Sequence, residues 1–228
     1  CLLSRGLGDV YKRQLFNSPP VGYETFGNFN LAPLGVEKYA YNTYRHYIKD
    51  YLTNPKEDIV FDINCGKGWG LCYLKQEYGF KKCIGYNSVP EILKECKEKH
   101  ADINFYKDFI MSKQKNANFI FSIEAFDNYD NKSALLLKFK QSLADNGKLI
   151  IVQSSTNEKE YRNFEMILEK THGLKPLQKL EIAQDVFQAV DLIADGPNLT
   201  TCVEYSKYQS AYNMNNDYKI FVSIYQNV

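Results

Sequence analysis

The sequence predicts an α/β fold built on a doubly wound sheet. Three observations carry that expectation. Short apolar runs alternate with helical patterns between residues 58 and 153, a glycine-rich turn follows the first of those runs, and residues 218–225 place Tyr218, Ile220, Val222 and Ile224 on one face of a strand.

Residues 36–52 carry Val36, Tyr39, Ala40, Tyr44, Tyr47, Ile48 and Tyr51 at helical spacing, and Asn54-Pro55 ends the pattern. An amphipathic helix therefore precedes the sheet. A strand over 58–63, a helix over 69–78, a strand over 82–86, a helix over 90–100 and a strand over 103–106 follow. Next come a strand over 118–123, a helix over 132–143, a turn at Asp145-Asn-Gly147 and a strand over 148–153. A helix over 158–171, a strand over 176–181, a helix over 184–193 and the strand over 218–225 complete the series.

The 228 residues suit one core, since single domains run to about 250 residues before they divide. Residues 1–14 stand apart, because Asp9-Val-Tyr-Lys-Arg-Gln14 can be encoded by a transposon end used in sequencing libraries; the stretch is expected to be foreign. Residues 15–57 read as a lid segment and a helix, since 17–35 is rich in Pro, Gly, Asn and aromatics without periodicity, and 58–228 read as the α/β domain.

Without residues 1–14, the 28 basic and 27 acidic side chains lose Arg5, Lys12, Arg13 and Asp9, leaving 25 against 26 and a net charge of −1. That balance predicts no nucleic-acid partner, and the lysines near 94–99 and 107–115 are interrupted by acidic or polar residues. No run approaches the roughly 20 apolar residues that cross a bilayer, so no integral membrane contact and a cytoplasmic location are expected. Cys65, Cys72, Cys83, Cys96 and Cys202 form no C-x-x-C pair, which predicts reduced thiols. Cys96 and His100 are four apart on one helix face with no third ligand nearby, so no metal site is expected. His46, His100 and His172 read as structural.

Val60-Phe-Asp-Ile-Asn-Cys-Gly-Lys-Gly-Trp-Gly70 sets an acid at the end of an apolar strand, before a glycine-rich turn and a helix. Open α/β sheets bind ligands at the carboxyl ends of their strands, and a helix start favours an anionic group. A P-loop needs Ser or Thr after Gly-Lys, where Gly68 stands; a dinucleotide fingerprint needs Gly at 71, where Leu71 stands.

Asp62, Cys65, Gly66 and Gly68 match the first motif of the class I S-adenosylmethionine-dependent methyltransferase family, which this sequence resembles in order and spacing from 58 to 153. Cys83-Ile-Gly-Tyr-Asn-Ser88 resembles its second motif, and the resemblance implies a Rossmann-like sheet of seven strands, mostly parallel with an antiparallel last strand. The resemblance implies S-adenosyl-L-methionine as cofactor, with Asn87 on the ribose hydroxyls, Asp108 on the adenine amino group and Phe109 against the adenine ring. Phe121-Ser-Ile-Glu-Ala125 resembles the strand end beside the methionine portion, bringing in Ser122 and Glu124. Asp62, Asn64, Cys65, Gly66, Gly68 and Ser88 complete the expected cofactor site. Tyr23, in Val21-Gly-Tyr-Glu-Thr-Phe26, resembles a Gly-Tyr-Trp segment that covers the cofactor, or it is a plain aromatic anchor.

Leu143-Ala-Asp-Asn-Gly-Lys-Leu-Ile-Ile151 resembles the family's turn before the fifth strand. Leu180-Glu-Ile-Ala-Gln-Asp-Val-Phe-Gln-Ala189 and Asp217-Tyr-Lys-Ile-Phe221 are similar to segments of lipid, sterol and polyketide methyltransferases. A small, lipophilic acceptor follows as the expectation, with O-methylation as the reaction. Four asparagines depart from the pattern. Asn64 replaces a glycine, Asn87 an acid, Asn118 a frequent Asp and Asn146 a turn Gly or Pro. Asn tolerates left-handed backbone angles, so the turns at 64 and 146 survive, and Asn87 keeps an acceptor oxygen.

Methyl transfer from a sulfonium is an in-line displacement, so alignment is the main task and few side chains do chemistry. A hydroxyl acceptor must lose its proton, and Glu124 and Asp127 are the candidate catalytic residues, with His172 and Tyr23 behind them. Glu124 alternatively bonds neighbouring backbone, and Asp127 alternatively caps a helix. Two other readings stand beside this one: a binding or scaffold protein on the same fold, and a nucleotide-dependent oxidoreductase.

Overall fold

The computed structural model describes residues 47–123, 125–126, 129–155, 158–182 and 219–228. Tyr23, Glu124, Asp127 and the expected helix over 184–193 lie outside them. The strands are β1 (Ile59–Ile63), β2 (Lys82–Tyr86), β3 (Asn104–Tyr106), β4 (Ala117–Ile123), β5 (Leu143–Ser155), β6 (Leu174–Glu181) and β7 (Lys219–Asn227). They form one seven-stranded sheet in the order β3-β2-β1-β4-β5-β7-β6. β1 to β5 pair in parallel, whereas β7 runs antiparallel to both β5 and β6. The last strand thus inserts between its two predecessors.

Central parallel strands are covered on both faces, which is why their sequences are nearly continuous apolar runs. Helices α1 (Trp69–Tyr78) and α2 (Pro90–Lys99) cover one face. There Leu71, Leu74, Ile92 and Cys96 pack on Val60, Phe119, Phe121, Ile150, Val152 and Val222. Helices α3 (Lys132–Ser142) and α4 (Glu158–His172) cover the other, where Leu135, Phe139, Phe164 and Leu168 pack on Phe61, Ile63, Ile120, Leu149 and Ile151. The period-two alternation along β1, β4 and β5 assigns each residue to its layer.

Local chemistry sets the helix ends. Asn131 Oδ1 accepts the Ala134 N–H at 2.9 Å and starts α3. Pro90 lies in the first turn of α2, and Lys97 and Lys99 meet the negative end of its dipole. α1 closes on left-handed Gly79, whose N–H reaches the Lys75 carbonyl.

Two boundaries differ from the expectation. Of the expected 36–52 helix the described residues begin at Tyr47, and they end in a 3₁₀ turn over Lys49–Tyr51. The turn at 145–147 does not precede β5 but lies inside it. Ala117 already pairs with Leu143, and Phe119 pairs with Lys148, so the residues between bulge out with Asn146 at φ 59°. A Cβ on Gly147 would meet the Ala117 oxygen at 2.8 Å, which keeps that residue small.

Cys65, Cys72, Cys83 and Cys96 are free thiols. Among the described residues, no helix is long and apolar enough to cross a membrane, and no three His, Cys, Asp or Glu side chains gather as metal ligands.

Candidate functional site

The strand order reverses between β1 and β4, so the connections leaving their carboxyl ends diverge and open a crevice there. Asp62, buried, lies one residue before the end of β1. The chain then turns through three left-handed residues, Asn64 at φ 66°, Gly66 at φ 53° and Gly68 at φ 79°. Asparagine is the non-glycine residue that most readily takes such angles, so Asn64 keeps the bend a glycine would make. The Gly66 N–H reaches the Asn64 carbonyl at 2.8 Å, and the Gly68 N–H the Cys65 carbonyl at 2.9 Å.

Gly68 then begins α1, whose start has neither a side-chain cap nor an acidic residue in its first turn. A helix N-terminus in that condition suits a carboxylate or phosphate. Beneath the turn sits the ring of Phe105. A Cβ on Gly68 would meet Phe105 Cζ at 2.7 Å, and one on Gly85 would meet Phe105 Cδ1 at 2.6 Å and Cys65 Sγ at 2.7 Å. Both glycines are thus fixed by close packing.

α2 and the residues that flank it hold the turn from the side. Asn87 Nδ2 donates to the Gly66 carbonyl at 3.2 Å, and Cys96 Sγ donates to the same oxygen at 3.3 Å. His100 Nε2 lies 3.0 Å from the Lys67 carbonyl; since a carbonyl only accepts, that nitrogen carries the proton. The His100 ring stands edge-on to Trp69 at 4.7 Å, and burial holds its pKa below the ordinary value. Lys67 and Glu95 are 3.9 Å apart, and the Glu95 carboxyl is kept below its usual range first by the hydrogen bond from Lys99. Sequence reasoning noted the spacing of Cys96 and His100 only as an incomplete metal site. The same i, i+4 spacing was the one signal of their contact with the turn.

The structure brings Asp62, Asn64, Cys65, Gly66, Gly68 and Asn87 together at the ends of β1 and β2. Asn87 is buried and engaged at both ends of its amide, because its Oδ1 accepts the Val89 N–H at 2.9 Å. The partners fix which atom is oxygen, as one only accepts and the other only donates. Ser88 is exposed beside it. Ser122 Oγ, next to the end of β4, is buried and has no hydrogen-bond partner among the described residues. Asp108 is exposed, and its Oδ1 accepts the Met111 N–H at 3.2 Å. Phe109 is buried, its ring 5.1 Å from Tyr86 and 5.6 Å from Phe139.

A family model described as a methyltransferase domain matches residues 36–192. The chain is similar in fold to a geranyl diphosphate C-methyltransferase from Streptomyces coelicolor A3(2), solved with Mg2+, geranyl diphosphate and S-adenosyl-L-homocysteine. That similarity has a TM-score of 0.69 at 11% identity, over 97% of this chain and 98% of that one. It is also similar to the 4+2 cyclase SpnF, with a TM-score of 0.72 at 10% identity over 97% and 95% of the two chains. A third similar structure is the StiE O-MT, with a TM-score of 0.67 at 18% identity over 92% and 83%. At these identities the likeness concerns the fold. Among curated proteins, a 2-phospho-L-lactate guanylyltransferase from Methanosphaera stadtmanae is 29% identical over 66 residues, a stretch that spans only 29% of either chain.

Proposed function

The chain belongs to the methyltransferase-domain family, and from that premise we propose that it transfers a methyl group from S-adenosyl-L-methionine to a small, lipophilic acceptor, at an oxygen. The observation that carries this reading is the left-handed turn from Asn64 to Gly68 between β1 and α1, at the point where the strand order reverses. The uncapped start of α1 suits the donor's carboxylate, and the orphaned hydroxyl of Ser122 offers a further polar contact. The residues present therefore fit the donor. When bound, S-adenosylmethionine supplies an electrophilic methyl carbon on a sulfonium.

In this reading Asp62, Asn64, Cys65, Gly66 and Gly68 form the wall and floor of the donor site, with Asn87, Ser88 and Asp108 along the adenosine side. The residues of the chain orient donor and acceptor in line and exclude water, which is the larger part of such catalysis. With the donor bound, a hydroxyl acceptor would have to lose its proton, and Glu124 and Asp127 are the candidate carboxylates to take it.

The scaffold reading has the engaged amide of Asn87 in its favour, since that side chain already has a partner at each end. Incubating the protein with a metabolite extract and trideuteromethyl-labelled donor, followed by mass spectrometry, separates the two. Labelled, lipophilic O-methyl products are expected; extracts without any labelled product contradict catalysis.

A further inference from the structure

The turn over residues 64–68 is gripped by one helix face. Cys96, in the last turn of α2, and His100, the residue that caps its end, are four apart, a spacing that brings two side chains to one side of a helix. They reach consecutive carbonyls, Cys96 to Gly66 at 3.3 Å and His100 to Lys67 at 3.0 Å. Asn87, just ahead of α2, adds its Nδ2 to the Gly66 oxygen at 3.2 Å. Two donors thus meet the two lone pairs of one buried carbonyl, with Cys65 Sγ farther off at 3.8 Å.

The donor end of Asn87 faces a group that only accepts. A carboxylate at 87 could still take the Val89 N–H, but its second oxygen would confront the Gly66 oxygen without a proton between them. The side chains that hold the turn are themselves held. The His100 N–H reaches the Cys96 carbonyl at 3.0 Å, the His100 carbonyl accepts from Ile103 at 3.1 Å, and Trp69 and Phe105 flank the imidazole. A trans peptide is planar, so turning the Gly66 carbonyl toward α2 turns the Lys67 N–H the opposite way. The grip therefore sets where the backbone donors of the turn point.

We propose that Asn87, Cys96 and His100 are positioning residues that latch the turn in the shape that receives the methyl donor, acting through the carbonyls of Gly66 and Lys67. Asn87 belongs to this latch, and is not a weakened copy of an acidic ribose ligand. The inference rests on the donor-site reading above.

The test uses the full chain. Amide hydrogen exchange across residues 64–69 is measured without ligand, and S-adenosylhomocysteine is titrated calorimetrically, for wild type, Asn87→Asp, Cys96→Ala, Cys96→Ser, His100→Ala and His100→Gln. Asn87→Asp and His100→Ala are expected to speed exchange in the turn and to weaken S-adenosylhomocysteine by about tenfold. His100→Gln, whose amide can donate to Lys67, returns affinity to within about threefold of wild type. Cys96→Ser keeps a donor and stays closer to wild type than Cys96→Ala, which guards against a variant that merely fails to fold. Asn87→Asp binding as tightly as wild type, or more tightly, overturns the latch, as does unchanged exchange in every variant. A wild-type chain that gives no heat with S-adenosylhomocysteine overturns the donor-site reading instead, and the exchange data, taken without ligand, still decide the latch.

Discussion

Adding one methyl group at Gly85 should wedge the floor of the site apart. Its Cβ would sit 2.6 and 2.7 Å from two carbons of Phe105 and 2.7 Å from Cys65 Sγ, far inside ordinary contact. Phe105 cannot swing away, since its ring is 4% exposed and lies against His100. Overpacking of this kind costs about 1–3 kcal/mol, which for a chain of this size lowers the melting midpoint by about 2–12 °C. Urea unfolding of Gly85→Ala, Phe105→Leu and the double variant measures the effect. The double variant should be more stable than the sum of the single losses by about 1 kcal/mol or more, because the shortened side chain makes room. Gly68→Ala behaves differently: at φ 79° a residue with a Cβ also pays about 1–2 kcal/mol in backbone strain, which Phe105→Leu does not relieve. Losses that add to within about 0.5 kcal/mol for the Gly85 pair would refute the packing argument.

Burial holds the His100 pKa below its ordinary 6.5, against the Lys67 carbonyl, Asp102 and Glu95, which favour the charged ring, and with Lys99, which opposes it. Below pH 6.5 the unfolded chain therefore takes up a proton at this site before the folded chain does, so stability is full above that pH and declines as pH falls through it. Urea unfolding across the range should show this slope, and His100→Gln should flatten it; equal slopes in both proteins contradict the assignment. Asn131→Ala removes the cap of α3 and should cost about 1 kcal/mol by the same assay, whereas Asn131→Asp should stay near wild type. Leu74→Ala, on the buried face of α1, should cost about 2–5 kcal/mol, and a loss below about 1 kcal/mol would show that the core there collapses around the gap.

Much of the fold was legible because it is written locally. Val60, Phe61 and Ile63 form a run that only a covered central strand tolerates, and Gly66 and Gly68 announce a turn that closes on α1. The bulge at Asn146 was not legible, because it depends on Ala117 reaching past it to pair with Leu143. Nor was the insertion of β7 between β5 and β6, since strand order is decided by contacts far apart in sequence. At the site, spacing located Asp62, Gly68 and Asn87 but could not show what Asn87 bonds to. Cys96 and His100 meet the turn from 30 and 33 residues away, and their i, i+4 spacing alone does not say what they touch. Nor does any local pattern show that the Phe109 ring packs beside Tyr86 and Phe139, which lie far from it in sequence.

A crystal structure of the chain with S-adenosylhomocysteine tests the central claim most directly. The ligand should lie across the carboxyl ends of β1, β2 and β4, with its carboxylate at the start of α1 and its adenosine beside Asn87. Density showing that crevice closed by the chain's own side chains, with the ligand absent or bound elsewhere, would contradict it.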